Sequence, residues 1–398
     1  MKRNKPVKIK RYKNSFTNSD EKRRKALKWL CFVLVLAVLF LGGFFFAKPI
    51  IDAASGFWYS VVNPKDKPDE AVSSSLPVSS GGQSGDNADI SNTEIQPSGE
   101  DFSQNANWQF VSLSSLSTEQ DIQAAARQLK ENGISYALIT LKDKSGTVYY
   151  QSDVPFAGSA ISDTAFSAEK VVEIFNREGV QPVAYITAYQ DPAAAYADRD
   201  CAVKYMSEDT MWLDSSLELG GKPWLNPYSE KARQYIGDLT DEAMQMGFAG
   251  VVISKLQFPS GYGTESCYYS GADGRTKSQV LADTVSYLQQ IAQNNKAFIW
   301  FEIPASLVLG YEVNTYGEQP LGLGMDNIIV RVQLSRLEDG STYTGGIAAE
   351  QLEELYNTAS TNGTLHFGVY VADSTLDSEK ANEIYTGCEN GYTQKIYV

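Results

Sequence analysis

The chain has 398 residues, with 34 Lys and Arg, 48 Asp and Glu and a single histidine, and its net charge at pH 7 is −14. The first 28 residues hold 12 of the bases and only two of the acids, so the remainder carries a net charge of −24. A surface this acidic repels nucleic acid, which is excluded as a partner. One histidine cannot form a histidine-based metal site, and we expect no metal and no cofactor.

Residues 29–47 follow this basic tail and contain no charged side chain. A helix of this length is about 28 Å long, enough to cross a hydrocarbon core of about 30 Å. The excess of bases before the span predicts a cytoplasmic N-terminus, a single pass through the cell membrane and an extracellular C-terminal domain. A cleaved signal peptide is the alternative, but its apolar core is about 7 to 15 residues long, which is shorter than this span.

Residues 48–104 are predicted to form a juxtamembrane segment and a flexible linker, because Ser, Gly, Pro, Asp and Asn dominate their second half and no apolar period is visible. The globular domain is expected at 105–398. Its cysteines, Cys201, Cys267 and Cys388, form no CxxC pair, so one disulfide or three free thiols are both compatible with the sequence.

Short β-rich segments alternate with amphipathic helical segments throughout this domain. The predicted strands are 109–113, 136–142, 182–188, 249–257, 297–303, 327–333, 365–371 and 393–398. The predicted helices are 118–132, 167–179, 229–247, 276–294 and 348–361, with a weaker one at 377–386. Ser117, Ser167 and Ser229 are the expected N-caps. Eight such units over about 290 residues predict a (β/α)8 TIM barrel. An open doubly wound sheet is the alternative, but no glycine-rich turn follows the first strand.

Three segments carry a resemblance to a bacterial family of glycoside-hydrolase-like domains that was first defined as a domain of unknown function. They are YALITLKDKSGTVYYQSDVP at 136–155, VQPVAYITAYQDP at 180–192 and WLNPYSEKARQYIGDLTDEAMQMGFAGVVISKLQFPSG at 224–261. The segments occur in the family's order and spacing. The resemblance implies a TIM barrel related to enzymes that cleave glycosidic bonds.

Several positions depart from the family pattern. At the fourth strand the family pattern resembles FDEIQFDYIRFP, and here Ser254 replaces the acid, Lys255 the aromatic residue and Gln257 the arginine. At the second strand the pattern resembles IDIKDDSG, and here Thr140 and Lys144 replace two acids. The first replacement removes one expected member of a catalytic pair of carboxyl groups.

Acids remain at other strand ends, where barrel enzymes place their chemistry. The candidate catalytic residues are Glu302, Asp143 and Asp191. Glu302 lies in the apolar run WFEIP, which is expected to raise the pKa of its carboxyl and suit it to a general acid. The alternative is a buried ion pair with Arg331 or Lys142. For Asp143 and Asp191, a role in capping turns is the alternative.

Candidate substrate-binding residues lie near the same strand ends or in the WxNPYS element. They are Trp224, Asn226, Lys142, Tyr189, Ser254, Lys255, Gln257 and Arg331. Aromatic rings among them could stack on sugar faces, although most tyrosines are expected to pack in the core. His366 lies between apolar neighbours and is expected to be a core residue.

Three hypotheses about function follow. The chain recognises a cell-wall or capsular glycan without cleaving it, it is an active glycosidase that uses strand-end carboxylates, or it is a non-catalytic scaffold of the cell envelope. The replacement of acids by Ser254 and Thr140 favours the first.

Overall fold

The computed structural model describes residues 101–113, 118–206, 209–308, 313–332, 363–372 and 391–397, with single positions between 353 and 386. The basic tail, the predicted transmembrane helix at 29–47 and nearly all of the predicted linker lie outside these residues, as does Cys388. Within the described ranges, no helix is both long enough and apolar enough to cross a membrane. Cys201 and Cys267 are free thiols.

The described strands, in chain order, are β1 (Ala106–Val111), β2 (Tyr136–Lys142), β3 (Val148–Tyr150), β4 (Ile161–Phe166), β5 (Gln181–Thr187), β6 (Lys204–Tyr205), β7 (Gly250–Ser254), β8 (Cys267–Tyr268), β9 (Phe298–Pro304), β10 (Asn327–Val332), β11 (His366–Val371) and β12 (Tyr392–Tyr397). Eight of them form one closed ring in the order β1, β2, β5, β7, β9, β10, β11, β12, and every pair in the ring is parallel. The ring confirms a barrel and excludes the open sheet.

The α-helices of the described residues are α1 (Glu119–Glu131), α2 (Ala168–Glu178), α3 (Pro192–Ala197), α4 (Glu230–Gln245), α5 (Lys277–Asn295) and α6 (Ala305–Val308). Ser167 and Ser229 are the N-caps of α2 and α4, as predicted. The cap predicted at Ser117 is wrong by one position. Thr118 caps α1, because its hydroxyl and the Asp121 side chain form a reciprocal capping box.

Every predicted strand has a counterpart in the barrel, with ends that differ by up to three residues. The sequence did not predict β3 and β4, which extend the sheet beyond β2, or the antiparallel pair of β6 and β8. The predicted helices at 348–361 and 377–386 fall largely outside the described residues. The positions described there as part of a helix are 353, 356, 357, 360, 361, 382 and 384–386.

Aromatic side chains fill the amino-terminal half of the barrel interior. Phe102 packs edge-on against Phe298 and Trp300, with ring centroids 4.9 and 5.1 Å apart, and Trp108 lies 4.5 Å from Tyr136. Phe102 belongs to the segment predicted as linker, yet it is buried at this end of the barrel. Such pairs contribute about 0.5–1.5 kcal/mol each beyond the burial of their area. The interior is therefore a packed core at this end.

Gln394 links the first and last strands of the barrel. Its buried amide oxygen accepts from the indole N–H of Trp108 at 2.9 Å, and its amide nitrogen donates to the main-chain oxygens of Phe102 and Gln104. His366 begins β11 at this same end and packs edge-on against Phe102, with ring centroids 5.7 Å apart. Burial lowers the pKa of His366. The single histidine is thus a packing residue, far from the strand ends that carry Ser254.

A second core lies between the outer face of the barrel and the helices. It contains the alternate strand residues, such as Ile139, Ile186 and Ile253, together with the buried faces of α1, α2, α4 and α5. Apart from Gln394, the buried polar residues of the barrel strands, Lys142, Thr187, Ser254 and Glu302, lie towards the carboxyl ends, whereas the aromatic layer occupies the other end. The fold therefore leaves one polar opening.

We predict that Gly250→Ala destabilises the barrel. A Cβ atom at Gly250 would lie 2.1 Å from a ring carbon of Phe298 and 2.5 Å from its main-chain oxygen, which belongs to the adjacent strand β9 and cannot rotate away. Overpacking of this kind costs about 1–3 kcal/mol, and each kcal/mol lowers the melting temperature of a large domain by about 2–4 °C.

The matched control is Gly158→Ala, because a Cβ atom there meets no atom within 4 Å. Thermal unfolding followed by circular dichroism should show a loss only for Gly250→Ala. Equal melting temperatures for the two variants would contradict the register of β7 against β9.

Candidate functional site

A cavity of about 820 Å³ opens at the carboxyl ends of the barrel strands. Its walls come from the ends of β2, β5, β7, β9, β10 and β11 and from two long loops that follow β5 and β7. The lining residues are Thr140, Asp143, Lys144, Tyr185, Thr187, Gln190, Asp214, Ser215, Trp224, Ser254, Lys255, Ser260, Gly261, Glu302, Arg331, Tyr370 and Ala372. This is the end of the barrel at which TIM-barrel enzymes place their active sites.

Glu302 lies on β9 at the bottom of this cavity, and protein groups engage both of its carboxylate oxygens. Arg331 on β10 approaches Oε1 with its Nε at 3.1 Å, and the hydroxyl of Tyr185 donates to Oε2 at 2.9 Å. The side chains of Glu302 and Arg331 are 5% and 15% exposed. A guanidinium and a donor hydroxyl both favour the ionised carboxylate. The ion pair with Arg331, the alternative expected for Glu302, is therefore present in the structure.

The phenol groups of Tyr185 and Tyr370 lie near the ion pair of Glu302 and Arg331. Burial, followed by the charge of Glu302, raises the pKa of Tyr185 well above its ordinary value, although a hydrogen bond to Ser254 acts in the opposite direction. Burial and the same carboxylate raise the pKa of Tyr370 to about 12. Phe110 packs beneath both rings, with centroids 5.1 and 5.0 Å away. Both phenols therefore remain protonated at neutral pH.

Ser254 occupies the end of β7, where the resemblance implies an acid. Its hydroxyl donates to the hydroxyl of Thr187 at 3.3 Å, and the side chain is almost fully buried. Lys255 follows in a left-handed conformation with φ of 53°, and both residues line the cavity. A neutral hydroxyl thus stands at the position from which a carboxyl would face the cavity.

Asp143 lines the cavity but holds a turn. Its Oδ1 accepts from the main-chain N–H groups of Ser145 and Thr147 and from the Ser145 hydroxyl, and its Oδ2 accepts from the Tyr149 hydroxyl at 2.8 Å. These four bonds define the connection from β2 to β3. The turn-capping alternative describes this residue.

Asp191 is fully buried beneath the cavity rather than in its lining. Its Oδ1 caps α3 by accepting from the Ala194 N–H at 2.8 Å, and its Oδ2 lies 2.8 Å from the ammonium of Lys142. Lys142 also donates to the main-chain oxygens of Thr187 and Ala188. Lys142 and Asp191 are therefore a buried ion pair that joins β2, β5 and α3, outside the cavity lining.

Three further candidates also lie outside the cavity lining. Tyr189 is buried with its hydroxyl 3.2 Å from that of Thr284, Asn226 donates its amide to the Ser270 main-chain oxygen at 2.9 Å, and Gln257 is fully buried. The candidates that do line the cavity are Glu302, Asp143, Trp224, Ser254, Lys255 and Arg331. Sequence position at a strand end did not distinguish these groups, because alternate side chains face the helices.

Asp214 is a cavity-lining carboxylate that the sequence analysis missed. It lies in the long loop between β6 and α4, where no strand pattern draws attention to it. Its Oδ2 accepts from the indole N–H of Trp224 at 3.1 Å, and its Oδ1 accepts from the Lys222 N–H at 2.7 Å. Asp214 thus fixes the ring of Trp224 against the cavity wall. Its position ten residues before the WxNPYS tryptophan was the only available signal.

No group of three or more His, Cys, Asp or Glu residues in the described part of the chain is arranged to hold a metal ion. The cavity instead presents carboxylates, hydroxyls, amides and cationic side chains to one another.

A closed parallel barrel with a polar cavity at the carboxyl ends of its strands defines the chain as a TIM-barrel protein. Residues 109–327, more than half of the chain, match the sequence profile of the family described as "Putative glycosyl hydrolase domain", and the chain belongs to that family. No curated protein sequence matches the chain significantly.

Solved structures with similar folds include glycoside hydrolases. The glycoside hydrolase domain of PgaB (BpsB) from Bordetella bronchiseptica is 12% identical, with a TM-score of 0.52 over 74% of this chain and 94% of that one. Alpha-L-fucosidase isoenzyme 2 from Paenibacillus thiaminolyticus is 14% identical, with a TM-score of 0.46 over 74% of this chain and 46% of that one. At these identities the first likeness concerns the fold, and the second is too distant to support an argument.

We predict that Asp191 acts in folding and not in chemistry. Asp191→Asn leaves the ammonium of Lys142 buried without its carboxylate, a change that costs about 3–5 kcal/mol. Because the two residues form one pair, Lys142→Met combined with Asp191→Asn should cost less than the sum of the single changes. Urea unfolding of Asp191→Asn, Lys142→Met and the double variant measures the free energy of unfolding of each and therefore tests both expectations. An Asp191→Asn variant with unchanged stability would contradict this assignment.

Proposed function

We propose that the chain is a membrane-anchored protein whose extracellular barrel binds a cell-wall or capsular glycan without hydrolysing it. The glycan binds in the cavity at the carboxyl ends of the strands, hereafter the mouth cavity. The observation that supports this most strongly is the state of the carboxylates that line the cavity. Each of these carboxylates, on Glu302, Asp143 and Asp214, accepts hydrogen bonds from the protein itself, and Glu302 also forms an ion pair with Arg331.

Glycoside hydrolysis needs one carboxyl that carries a proton to the leaving oxygen and a second that attacks or activates water. Glu302 is paired with the Arg331 guanidinium and accepts a hydrogen bond from the Tyr185 phenol, an arrangement that fits the second role better than that of proton donor. The proton donor has no counterpart among the described lining residues, because the remaining carboxylates orient a turn and an indole.

The replacement at the end of β7 supports the same proposal. Ser254 bonds to Thr187, so it acts as part of the hydroxyl network of the wall. A serine can attack a glycosidic centre only with a base beside it, and the single histidine lies at the opposite end of the barrel. The end of β7 therefore contributes a hydroxyl group to the cavity wall where the resemblance implies an acid.

The volume and the lining groups of the cavity are compatible with the binding of a sugar. Its volume of about 820 Å³ falls in the range of about 300–1,000 Å³ that is typical of sites for small ligands. Hydroxyls of Thr140 and Tyr370 and the amide of Gln190 line it, and these groups match the alternating donors and acceptors of a sugar.

We predict that the full-length chain, purified in detergent, binds size-fractionated bacterial cell-wall or capsular glycan in isothermal titration calorimetry. Gln190→Ala should weaken binding about fivefold, the effect of one hydrogen bond. The control is Gln128→Ala on the exposed face of α1, which should bind like the wild type.

A reducing-sugar assay on the same glycans should give the same background rate for the wild type and for Glu302→Gln. Release that disappears in Glu302→Gln would establish an active glycosidase in place of the binding protein. Binding to none of the glycans would overturn the proposal and leave the scaffold hypothesis.

The anchor rests on the uncharged span at 29–47 and the basic tail before it. We predict that protease added to intact spheroplasts removes an epitope at the C-terminus and spares one at the N-terminus. Permeabilisation should expose both. Protection of the C-terminal epitope in intact cells would contradict an extracellular barrel.

A further inference from the structure

The loop between β6 and α4 and the loop between β7 and β8 carry three strongly exposed apolar side chains near the cavity lining. Leu217, Leu219 and Tyr262, hereafter the Tyr262 rim, are 73%, 81% and 85% exposed. Chain neighbours of the rim line the cavity: Ser215 precedes Leu217 by two residues, and Gly261 directly precedes Tyr262. The rim therefore adjoins two stretches of the chain that line the cavity.

The loops that bear the rim are fastened to each other. The Tyr262 N–H donates to the main-chain oxygen of Asp214 at 3.3 Å, and the indole N–H of Trp212 donates to the Gly263 oxygen at 2.9 Å. A Cβ atom at Gly261 would lie 2.7 Å from the Asp214 oxygen, so glycine permits this close approach. Tyr262 therefore has a fixed position relative to Asp214 in the cavity wall.

The loop between β6 and α4, which carries Leu217 and Leu219, is also closed by hydrogen bonds within itself. Asp214 accepts from the Lys222 N–H at 2.7 Å, and the Gly221 N–H donates to the Ser216 oxygen at 2.9 Å. These bonds turn the chain back on itself, and Leu217 and Leu219 project from the turn. An apolar group held in water by a fixed loop is a platform on which a ligand can lie without an entropic cost of ordering the loop.

We propose that the ligand of the mouth cavity is an oligosaccharide chain that leaves the cavity across the Tyr262 rim, where a pyranose ring stacks on Tyr262. This inference rests on the proposed function. A sugar ring has an apolar face and polar edges, so it fits an aromatic side chain whose surroundings are hydrated. Glu218 lies between the two leucines, and its charge disfavours an anionic lipid surface as the occupant.

The chemistry of the rim also indicates where specificity resides. The polar cavity reads the hydroxyl pattern of the sugar that it encloses, whereas stacking on the rim depends on ring faces and tolerates variation. A longer oligosaccharide therefore binds with higher affinity, whereas the sugar enclosed in the cavity determines which glycan is recognised.

The test uses the full-length chain in detergent and a length series of oligosaccharides from size-fractionated cell-wall or capsular glycan, from disaccharide to decasaccharide, in isothermal titration calorimetry. Wild-type affinity should rise with length and then level off. Tyr262→Ala should lower the affinity for the decasaccharide about tenfold, from the loss of one stacking contact, and leave the disaccharide unaffected. Tyr262→Phe keeps the ring and should bind like the wild type.

A matched pair of leucine variants tests the rest of the rim. Leu219→Ser should weaken binding of the long oligosaccharides, whereas Leu365→Ser, at a leucine that is 65% exposed at the amino end of the barrel, should not. Equal losses for disaccharide and decasaccharide would overturn the inference, as would full affinity of Tyr262→Ala for every length. Both results leave glycan binding itself intact, whereas absence of binding by the wild type would overturn the proposed function as well.

Discussion

The strand β1 hydrogen-bonds to β2 on one side and to β12 on the other, and this double pairing closes the sheet into a barrel. Closure removes exposed edges from the barrel strands, and because every neighbouring pair is parallel, all of their carboxyl ends lie at the same opening. The bond from Trp108 to Gln394, nearly the whole domain apart in sequence, reinforces that closure from inside. Because the aromatic layer fills the amino end, the polar residues of six strands can meet only at the other end.

The same closure determines the chemistry of the opening. Glu302 and Arg331 are on adjacent strands, and Tyr185 reaches them across the interior from β5. Three side chains that would each be costly to bury alone therefore satisfy one another. The consequence is a site in which protein groups contact both oxygens of the Glu302 carboxylate.

The support beneath the site is electrostatic as well. Lys142 and Asp191 connect β2 with β5 and α3 under the cavity, and Gly146 brings the following turn within contact of Asp191 because it has no Cβ atom. The turn that Asp143 caps therefore packs against the ion pair of Lys142 and Asp191. A change at Asp191 would disturb the cavity from below without any contact with a ligand.

The sequence by itself determined the number, order and approximate ends of the barrel strands, because alternating apolar segments and helix caps such as Ser167 and Ser229 are local signals. It also brought out the family resemblance and the replacement at Ser254. It could not separate Glu302, which faces the cavity, from Asp191, which is buried outside the cavity lining, since both lie at or just after the ends of strands. Only the closed barrel decided which faces point inwards. The tertiary structure alone also revealed Asp214 and the Tyr262 rim, because loops bring residues together through contacts that no local period records.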